Sequence, residues 1–183
     1  LMLFIAQAGF ETKDGALILT CQKAAAEIKA VFERGLDKGE ITQDALFDEQ
    51  YKPIPGTNPQ QVATRFMDYT DRVLTAIQEQ VLASSSRIAF CAAVDRNGYL
   101  PTHNLAYSKP QGSDPSWNAA NSRNRRIFND RTGLRAGRNT QPFLLQTYRR
   151  DMGGGQHALM KDISAPIIIR GRHWGGFRMG LKP

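Results

Sequence analysis

The sequence predicts an α+β fold in which two amphipathic helices precede a five-stranded antiparallel sheet. Three observations indicate this class. Apolar residues recur at helical spacing in the first 86 residues, strand-like runs replace them after Ser84-Ser85-Ser86, and glycines punctuate the last third of the chain. With 41% hydrophobic and 22% charged residues over 183 positions, the composition is that of an ordinary globular domain.

The first helix is predicted to follow a polar turn at Glu11 to Gly15, where Thr12 and Asp14 are candidate N-caps. Gly35 and Gly39 are its predicted stop signals. Its apolar stripe consists of Leu17, Cys21, Ala24, Ala25, Ile28, Val31 and Phe32.

A second, longer helix is predicted to begin at Asn58-Pro59, an N-cap followed by proline in the first turn. Between the two helices, Thr42 to Phe47 predicts one or two helical turns, and Tyr51 to Asn58 predicts an ordered connector. The stripe of the second helix consists of Val62, Phe66, Tyr69, Val73, Ile77 and Val81.

The first two strands are predicted at Ile88 to Val94 and Tyr99 to His103. Asn97-Gly98 between them is a strong hairpin signal, because both residues tolerate the left-handed conformation of a type I′ turn. The polar stretch that follows predicts short helices at Pro115 to Asn121, capped by Asp114, and at Arg123 to Asp130.

The last third of the chain predicts a three-stranded antiparallel meander. Its apolar runs are Phe143 to Tyr148, His157 to Ile169 and Trp174 to Leu181. The turns are expected at Gly153-Gly154-Gly155 and at Arg170-Gly171-Arg172. Pro166 inside the middle run predicts a bulge or an edge position, because proline has no N–H to donate.

Five stretches of the chain resemble the Cache/PAS-like sensory module of methyl-accepting chemotaxis proteins, the type at the C-terminal end after the cytoplasmic signalling coiled coil. They are VDRNGYLPTHN (Val94 to Asn104), NRRIFNDRTGL (Asn124 to Leu134), QTYRRDMGGG (Gln146 to Gly155), MKDISAPI (Met160 to Ile167) and RHWGGFRMGL (Arg172 to Leu181). The order of elements, with a hairpin, short helices and then a meander, is also that of a PAS-type sheet.

The resemblance implies a non-catalytic ligand-sensing domain in the cytoplasm, with a pocket between the sheet and the short helices. Residues 87–183 would be the PAS/Cache-like core, and residues 1–86 a helical segment that transmits pocket occupancy. The implied partners are a small-molecule ligand, the rest of the chemoreceptor and a second copy of the chain in a homodimer.

Charge is distributed unevenly along the chain. The total is +7, but residues 1–86 carry a net −4 and residues 87–183 a net +11. A surplus of arginine of this kind suits an anionic small ligand, an acidic partner or nucleic acid.

Six residues are candidates for ligand binding: Trp117, Arg123, Arg126, Tyr148, Asp162 and Trp174. On a helix, Arg123 and Arg126 would share one face at i, i+3, with Arg125 pointing elsewhere, and such arginines bind carboxylates or phosphates well. We expect Arg126→Ala to weaken binding.

The alternative for the arginines is a solvated basic face with one tryptophan in the core. For Asp151 and Asp162, the alternative is a structural salt bridge, for example of the aspartate with Arg149 or Arg172. On the first meander strand, alternation puts Gln146 and Tyr148 on one face.

No motif for an enzyme, a cofactor or a metal site is found. The histidines His103, His157 and His173 have no metal-ligand spacing, and Cys21 and Cys91 predict buried free thiols in a reducing compartment. No segment has the pattern of a signal peptide or the roughly 20 apolar residues of a membrane span. Leu1 to Ala8 is apolar but short, as at the end of a longer helix.

Three other functions are compatible with the sequence. The basic half suits a nucleic-acid-binding module, whose affinity would fall steeply with salt. A haem- or metal-binding sensor would require the fold to bring isolated histidines together. An oligomerising scaffold with an empty pocket is the third.

Overall fold

The computed structural model of the chain describes residues 13–153 and 155–183. It is a mixed α+β structure with a main antiparallel sheet and several helices. The expectations for Leu1 to Ala8, Thr12 and Gly154 lie outside the described residues, as does the one for the Asp151 side chain. No helix in the described part is long and apolar enough to cross a membrane.

The main sheet contains four antiparallel strands in the spatial order β3-β8-β7-β6. Their bounds are β3 Ile88–Asp95, β6 Leu144–Gly153, β7 Gln156–Ile169 and β8 Arg172–Leu181. The last three form the predicted meander, with longer strands than the apolar runs indicated.

The turn between β7 and β8 lies at Arg170-Gly171, as predicted, and both residues have positive φ, 48° and 79°. The edge position predicted for Pro166 is also confirmed. The pairing of β6 with β7 ends at Leu144↔Ser164, so β7 has no neighbour on that side at Pro166 among the described residues. A β-bulge follows between Ile167 and Ile168.

The prediction of a fifth strand in the main sheet is wrong. Only Tyr99–Leu100 (β4) is extended, and it pairs with Arg126–Ile127 (β5) in a separate two-stranded sheet. Asn97 lacks the left-handed conformation that a type I′ hairpin requires. Instead the Asp95 carboxylate accepts the N–H groups of Asn97 and Tyr99, and the chain turns away from β3.

The first long helix is α1, Gly15–Asp37, followed by the predicted helical turn, α2, Gln43–Leu46, which Thr42 caps. Gly35 does not end α1. It lies inside the helix, buried against Tyr69, where an added Cβ would be 2.0 Å from the tyrosine oxygen.

The second long helix is α3, Met67–Ala83, so the predicted start at Asn58 is wrong by about two turns. Residues Val62–Ala63 (β2) pair with Lys52–Pro53 (β1) instead. Val62 also donates its N–H to the carbonyl of Arg125. These contacts use backbone groups that a helix would need for itself.

The segment between β4 and β6 contains a 3₁₀ turn at Leu105–Tyr107 and the predicted helix α4, Pro115–Asn121, capped by Asp114. The helix predicted at Arg123 to Asp130 is wrong, because β5 lies there. Helix α5, Arg131–Arg138, begins directly afterwards with Asp130 as its N-cap.

The two faces of the sheet have different covers. Helices α1 and α3 share one continuous hydrophobic core with the first face, which presents Ile163, Phe177 and Met179. The opposite face, which we call the cleft face, presents Asp162, Ser164 and Arg178. Helix α5 covers part of the cleft face, since a Cβ added to Gly176 would be 2.8 Å from the carbonyl oxygen of Ala136.

Candidate ligand-binding cleft

A cleft of about 490 Å³ lies between the cleft face of the sheet and the segment from Leu100 to Asp130. We call it the main cleft. Its side chains combine two arginines, one acid and several aromatic rings: Phe90, His103, Tyr107, Arg123, Phe128, Asp130, Tyr148 and Arg178. The resemblance to the Cache/PAS-like module implies a pocket at this location, between the sheet and the short helices.

The side chain of Arg178 is held in place by contacts with Asp162 and Phe90. It is 7% exposed, and its Nε donates to Oδ2 of Asp162 over 2.6 Å. The guanidinium also lies 5.5 Å from the centre of the Phe90 ring. An ion pair and a ring together fix the side chain, so the positive charge in the cleft wall is preorganised.

Arg123 and Arg126 meet at a single aromatic ring. Their guanidinium carbons lie 4.9 and 4.8 Å from the centre of Phe128, and both donate to the carbonyl of Ala119. Only Arg123 lines the main cleft. The two arginines therefore come together as predicted, but across the turn at Asn124-Arg125 and not through a shared helix face.

Arg126 is half-buried beside the same ring, and burial lowers the pKa of its guanidinium. Arg126 does not line the main cleft, whereas Arg123 does. We therefore expect Arg123→Ala, and not Arg126→Ala, to weaken ligand binding. Arg125 points elsewhere, as predicted: its Nη2 donates to Asp71 of α3 over 2.7 Å.

His103 is an uncharged part of the cleft wall. It is 2% exposed, and its ring lies 5.7 Å from Phe90 and 5.0 Å from Tyr107, centre to centre. Burial lowers its pKa to about 3, assisted by the positive charges of Arg123 and Arg178. The cleft thus contains arginine cations and a neutral imidazole at physiological pH.

Asp162 lies beneath the cleft, not in its lining. It is fully buried, and burial raises its pKa to about 6 although Arg178 opposes this. The structural salt bridge considered for Asp162 is present, but its partner is Arg178. Arg178 is opposite Ser164 in the neighbouring strand and therefore diagonal to Asp162.

The three aromatic residues predicted to bind ligand lie in three different environments. Tyr148 lines the main cleft. Trp117 is 43% exposed on α4 and does not line it. Trp174 was expected as an apolar wall, but it packs edge-on against Phe32 and Phe66 in the helix-side core, with its indole N–H bonded to the carbonyl of Leu46.

The bulge in the sheet explains the position of Trp174. Ile167 pairs with Gly175 and Ile168 with His173, so Trp174 is the extra residue in β8. Simple alternation would place Trp174 on the face of Arg178, and a one-residue slip reverses the face. Pro166 in the sequence indicates irregular strand pairing, but it does not predict which face of the sheet Trp174 occupies.

Sequence reasoning missed Arg178, Phe90 and Tyr107. A signal for Arg178 was available, because it alternates with Phe177, Met179 and Leu181 on one strand, and the positions two residues away on its own face are Gly176 and Gly180. An arginine in that pattern indicates a polar or ligand-bearing face opposite an apolar one.

A second cleft of about 470 Å³ lies on the other side of His103. Asp71 and Arg125 form an ion pair in its wall, and the hydroxyl of Thr102 donates to Asp71 over 2.5 Å. Its lining is more polar than that of the main cleft and has no aromatic side chain besides His103.

No group of three or more His, Cys, Asp or Glu side chains within the described ranges is placed to hold a metal. Cys21 and Cys91 are buried free thiols, as predicted, and burial raises the pKa of both. Their thiols contact backbone carbonyls, so they pack as small apolar side chains.

No protein-family model matches the chain, and no curated protein matches it significantly. Among solved structures, the chain is similar to an extracellular ligand binding receptor from Desulfohalobium retbaense DSM5692, with a TM-score of 0.40 and 16% sequence identity. The alignment covers 94% of this chain and 26% of that receptor, so this chain spans about a quarter of its length. A similarity this distant does not assign the chain to a family.

Proposed function

We propose that this chain is a ligand-sensing input domain of a bacterial chemoreceptor, located in the cytoplasm, and that it binds a small anionic or zwitterionic metabolite in the main cleft. The observation that carries the proposal is the composition of the cleft wall. Two arginines, Arg123 and Arg178, lie among aromatic rings in a concave site large enough for a small molecule. No chemical reaction is part of the proposal.

The wall favours a ligand with two parts. A carboxylate accepts charge-assisted hydrogen bonds from Arg123 and Arg178. An apolar or planar part packs against Phe90, Tyr107 and Phe128. In a zwitterionic ligand, the amino group faces Asp130, the acidic side chain of the lining.

Strand β8 offers a route from the cleft to the helices. Arg178 is on its cleft face, while the neighbouring Phe177 and Met179 belong to the core shared with α1. The Cys21 thiol of α1 donates to the carbonyl of Phe177 over 3.4 Å. Ligand binding at Arg178 therefore selects between two packings of α1 on the sheet, which the helix passes to the rest of a dimeric receptor.

The proposal is tested by thermal unfolding in the presence of a panel of small carboxylates and amino acids, each paired with its neutral primary amide. We expect at least one carboxylate to raise Tm and its amide to leave Tm unchanged, since only the anion pairs with arginine. If each acid and its amide shift Tm equally, or if none of them shifts it, the proposed ligand class is wrong.

A further inference from the structure

The open edge of the main sheet carries a second candidate binding surface. Strand β6 is the last strand in the order β3-β8-β7-β6, so one of its backbone edges has no strand partner among the described residues. At ten residues it is long for an edge strand. An edge of this kind presents a row of N–H and C=O groups that an added strand can use.

A groove of about 440 Å³ follows this edge, and we call it the edge groove. One wall is formed by the four consecutive residues 145–148 of β6. Because successive side chains of a strand point to opposite faces, a groove lined by four in a row must run along the backbone edge. The other wall is helix α5, with Arg131, Thr132 and Arg135.

The helix wall is positively charged. Arg131 and Arg135 are four residues apart, so they lie on the same side of α5, and both are exposed. The opposite side of this helix is made of Gly133, Ala136 and Gly137, which are buried against the sheet and against residues that precede it. Packing of the small residues thus directs the arginines outward along the groove.

These two arginines differ from the six basic residues of the second half of the chain that form ion pairs with carboxylates among the described side chains. Arg87, Arg96, Arg125 and Arg170 each form an ion pair with a carboxylate. Among residues 13–149 and 155–183, whose side chains the structure describes, neither Arg131 nor Arg135 has such a partner. Arg131 and Arg135 thus place two cations beside an open strand edge, and this arrangement suits an acidic ligand.

We infer that the edge groove binds an extended acidic segment of a partner protein, which adds to β6 as a further antiparallel or parallel strand. Main-chain hydrogen bonds to β6 supply the general affinity, and acidic side chains on the α5 side pair with Arg131 and Arg135. A polypeptide fits better than nucleic acid, because the β6 wall offers a strand edge whose N–H and C=O groups another strand can pair with.

The test uses the purified chain and a fluorescein-labelled peptide of alternating glutamate and valine, with binding measured by anisotropy. The same peptide with lysine in place of glutamate is the charge control, and a labelled single-stranded oligonucleotide is the polyanion control. We expect binding of the glutamate peptide alone, and slower amide exchange at Leu144 to Tyr148 when it is bound.

In the variant Arg131→Glu with Arg135→Glu, we expect affinity for the glutamate peptide to fall about tenfold, as for the loss of two exposed ion pairs. Arg34→Glu, an exposed charge reversal on α1, is the matched control and leaves affinity unchanged. If the double reversal unfolds the protein, Arg131→Ala with Arg135→Ala replaces it. The inference is overturned by absent peptide binding, equal binding of the oligonucleotide, an unaffected double variant, or unchanged exchange at β6.

Discussion

The carboxylate of Asp95 ends strand β3 and fixes the course of the chain after it. Its Oδ1 accepts from the N–H groups of Asn97 and Tyr99, and its Oδ2 accepts from the hydroxyl of Tyr51 over 2.5 Å. Burial nevertheless raises the pKa of Asp95 to about 6. The folded state therefore binds the carboxyl proton of Asp95 more tightly than the unfolded chain does, where the pKa of an aspartate is ~3.9.

This pKa predicts how stability depends on pH at a single residue. The favourable contribution of the bound proton is present below about pH 4 and is lost as the pH rises through about 6. We expect the free energy of unfolding of the wild type, minus that of Asp95→Asn, to fall by about 2 kcal/mol between pH 4 and pH 7. Urea denaturation of both proteins at each pH measures the difference, and a difference that does not change with pH contradicts the prediction.

Single residues show where sequence reasoning succeeds and where it fails. The buried thiols, the N-cap Asp114 and the exclusion of Arg125 from the arginine pair depend on local patterns or simple geometry, and they were accessible. The N-cap roles of Thr42 and Asp130 were not predicted. Trp174 and Asp162 were not accessible, because their environments depend on a bulge and on the register between strands.

At the scale of elements, side chains of helix α3 and of the segment after β4 take the place of the missing fifth strand. The N–H of Ala93 on the free edge of β3 donates to Oε1 of Gln78, and the N–H of Cys91 donates to Oδ1 of Asn104. Gln78 also donates to the carbonyl of Thr102. Two side-chain amides thus satisfy edge groups that a neighbouring strand would otherwise pair.

Removing one of these amides is expected to lower the free energy of unfolding, because an N–H group at the β3 edge then has no acceptor. Gln78→Met keeps the side-chain length but leaves the buried N–H of Ala93 without its acceptor, so we expect a loss of about 2 kcal/mol in unfolding free energy. Gln80→Met, at an exposed position of the same helix, is the control and should stay near the wild type. Equal stability of the two variants would mean that Gln78 does not support the β3 edge.

Helices α1 and α3 are in close contact at Gly35. The hydroxyl of Tyr69 donates to the carbonyl of Val31 and occupies the space where a Cβ on residue 35 would be. We expect Gly35→Ala to destabilise the protein by about 2 kcal/mol, because overpacking outweighs the gain in helix propensity. Thermal and chemical denaturation measure the loss, with Ala26→Gly on the exposed side of α1 reporting propensity alone. A Gly35→Ala protein more stable than the wild type would contradict this packing.

The elements themselves divide into predictable and unpredictable ones for a physical reason. Helix α1 and the meander are long and periodic, and local preference and burial agree in them. The start at Asn58 and the helix at Arg123 to Asp130 failed because the backbone of these segments pairs with distant partners, such as Val62 with Arg125. Non-local pairing of short segments leaves little trace in local pattern.

At the scale of the whole molecule, part of the uneven charge of the chain is used in contacts between its two halves. Five ion pairs among the described residues join a base in residues 87–183 to an acid in residues 13–86: Arg87–Asp14, Lys161–Asp14, Arg96–Glu49, Arg125–Asp71 and Arg170–Asp37. The basic half thus serves the contact between helices and sheet. This observation reduces the support for a nucleic-acid-binding module.

Asp14 is the best-buried acid in that set and tests its contribution. Arg87 and Lys161 both donate to it, and these contacts lower its pKa. We expect Asp14→Asn to cost about 2 kcal/mol at pH 7. The stabilisation by Asp14 is present above the unfolded pKa and is lost as the pH falls through the lower folded pKa, so wild type and variant converge in acid.

The control for Asp14 is Asp37→Asn, which removes an exposed acid paired with Arg170. Such a pair contributes little, and the control should lose well under ~1 kcal/mol. Urea denaturation at neutral and acidic pH compares the two variants. If Asp37→Asn costs as much as Asp14→Asn, burial is not what makes the Asp14 pairs stabilising.

The measurement that tests the central claim most directly is isothermal titration of the carboxylate with the largest thermal shift into wild type, Arg123→Ala and Arg126→Ala. Both arginines contact Phe128 and the carbonyl of Ala119, but only Arg123 lines the main cleft. We predict that Arg123→Ala weakens binding by about 1.5–3 kcal/mol, while Arg126→Ala binds as the wild type does. Unchanged affinity in a folded Arg123→Ala protein, or an equal loss in both variants, would contradict a ligand site in the main cleft.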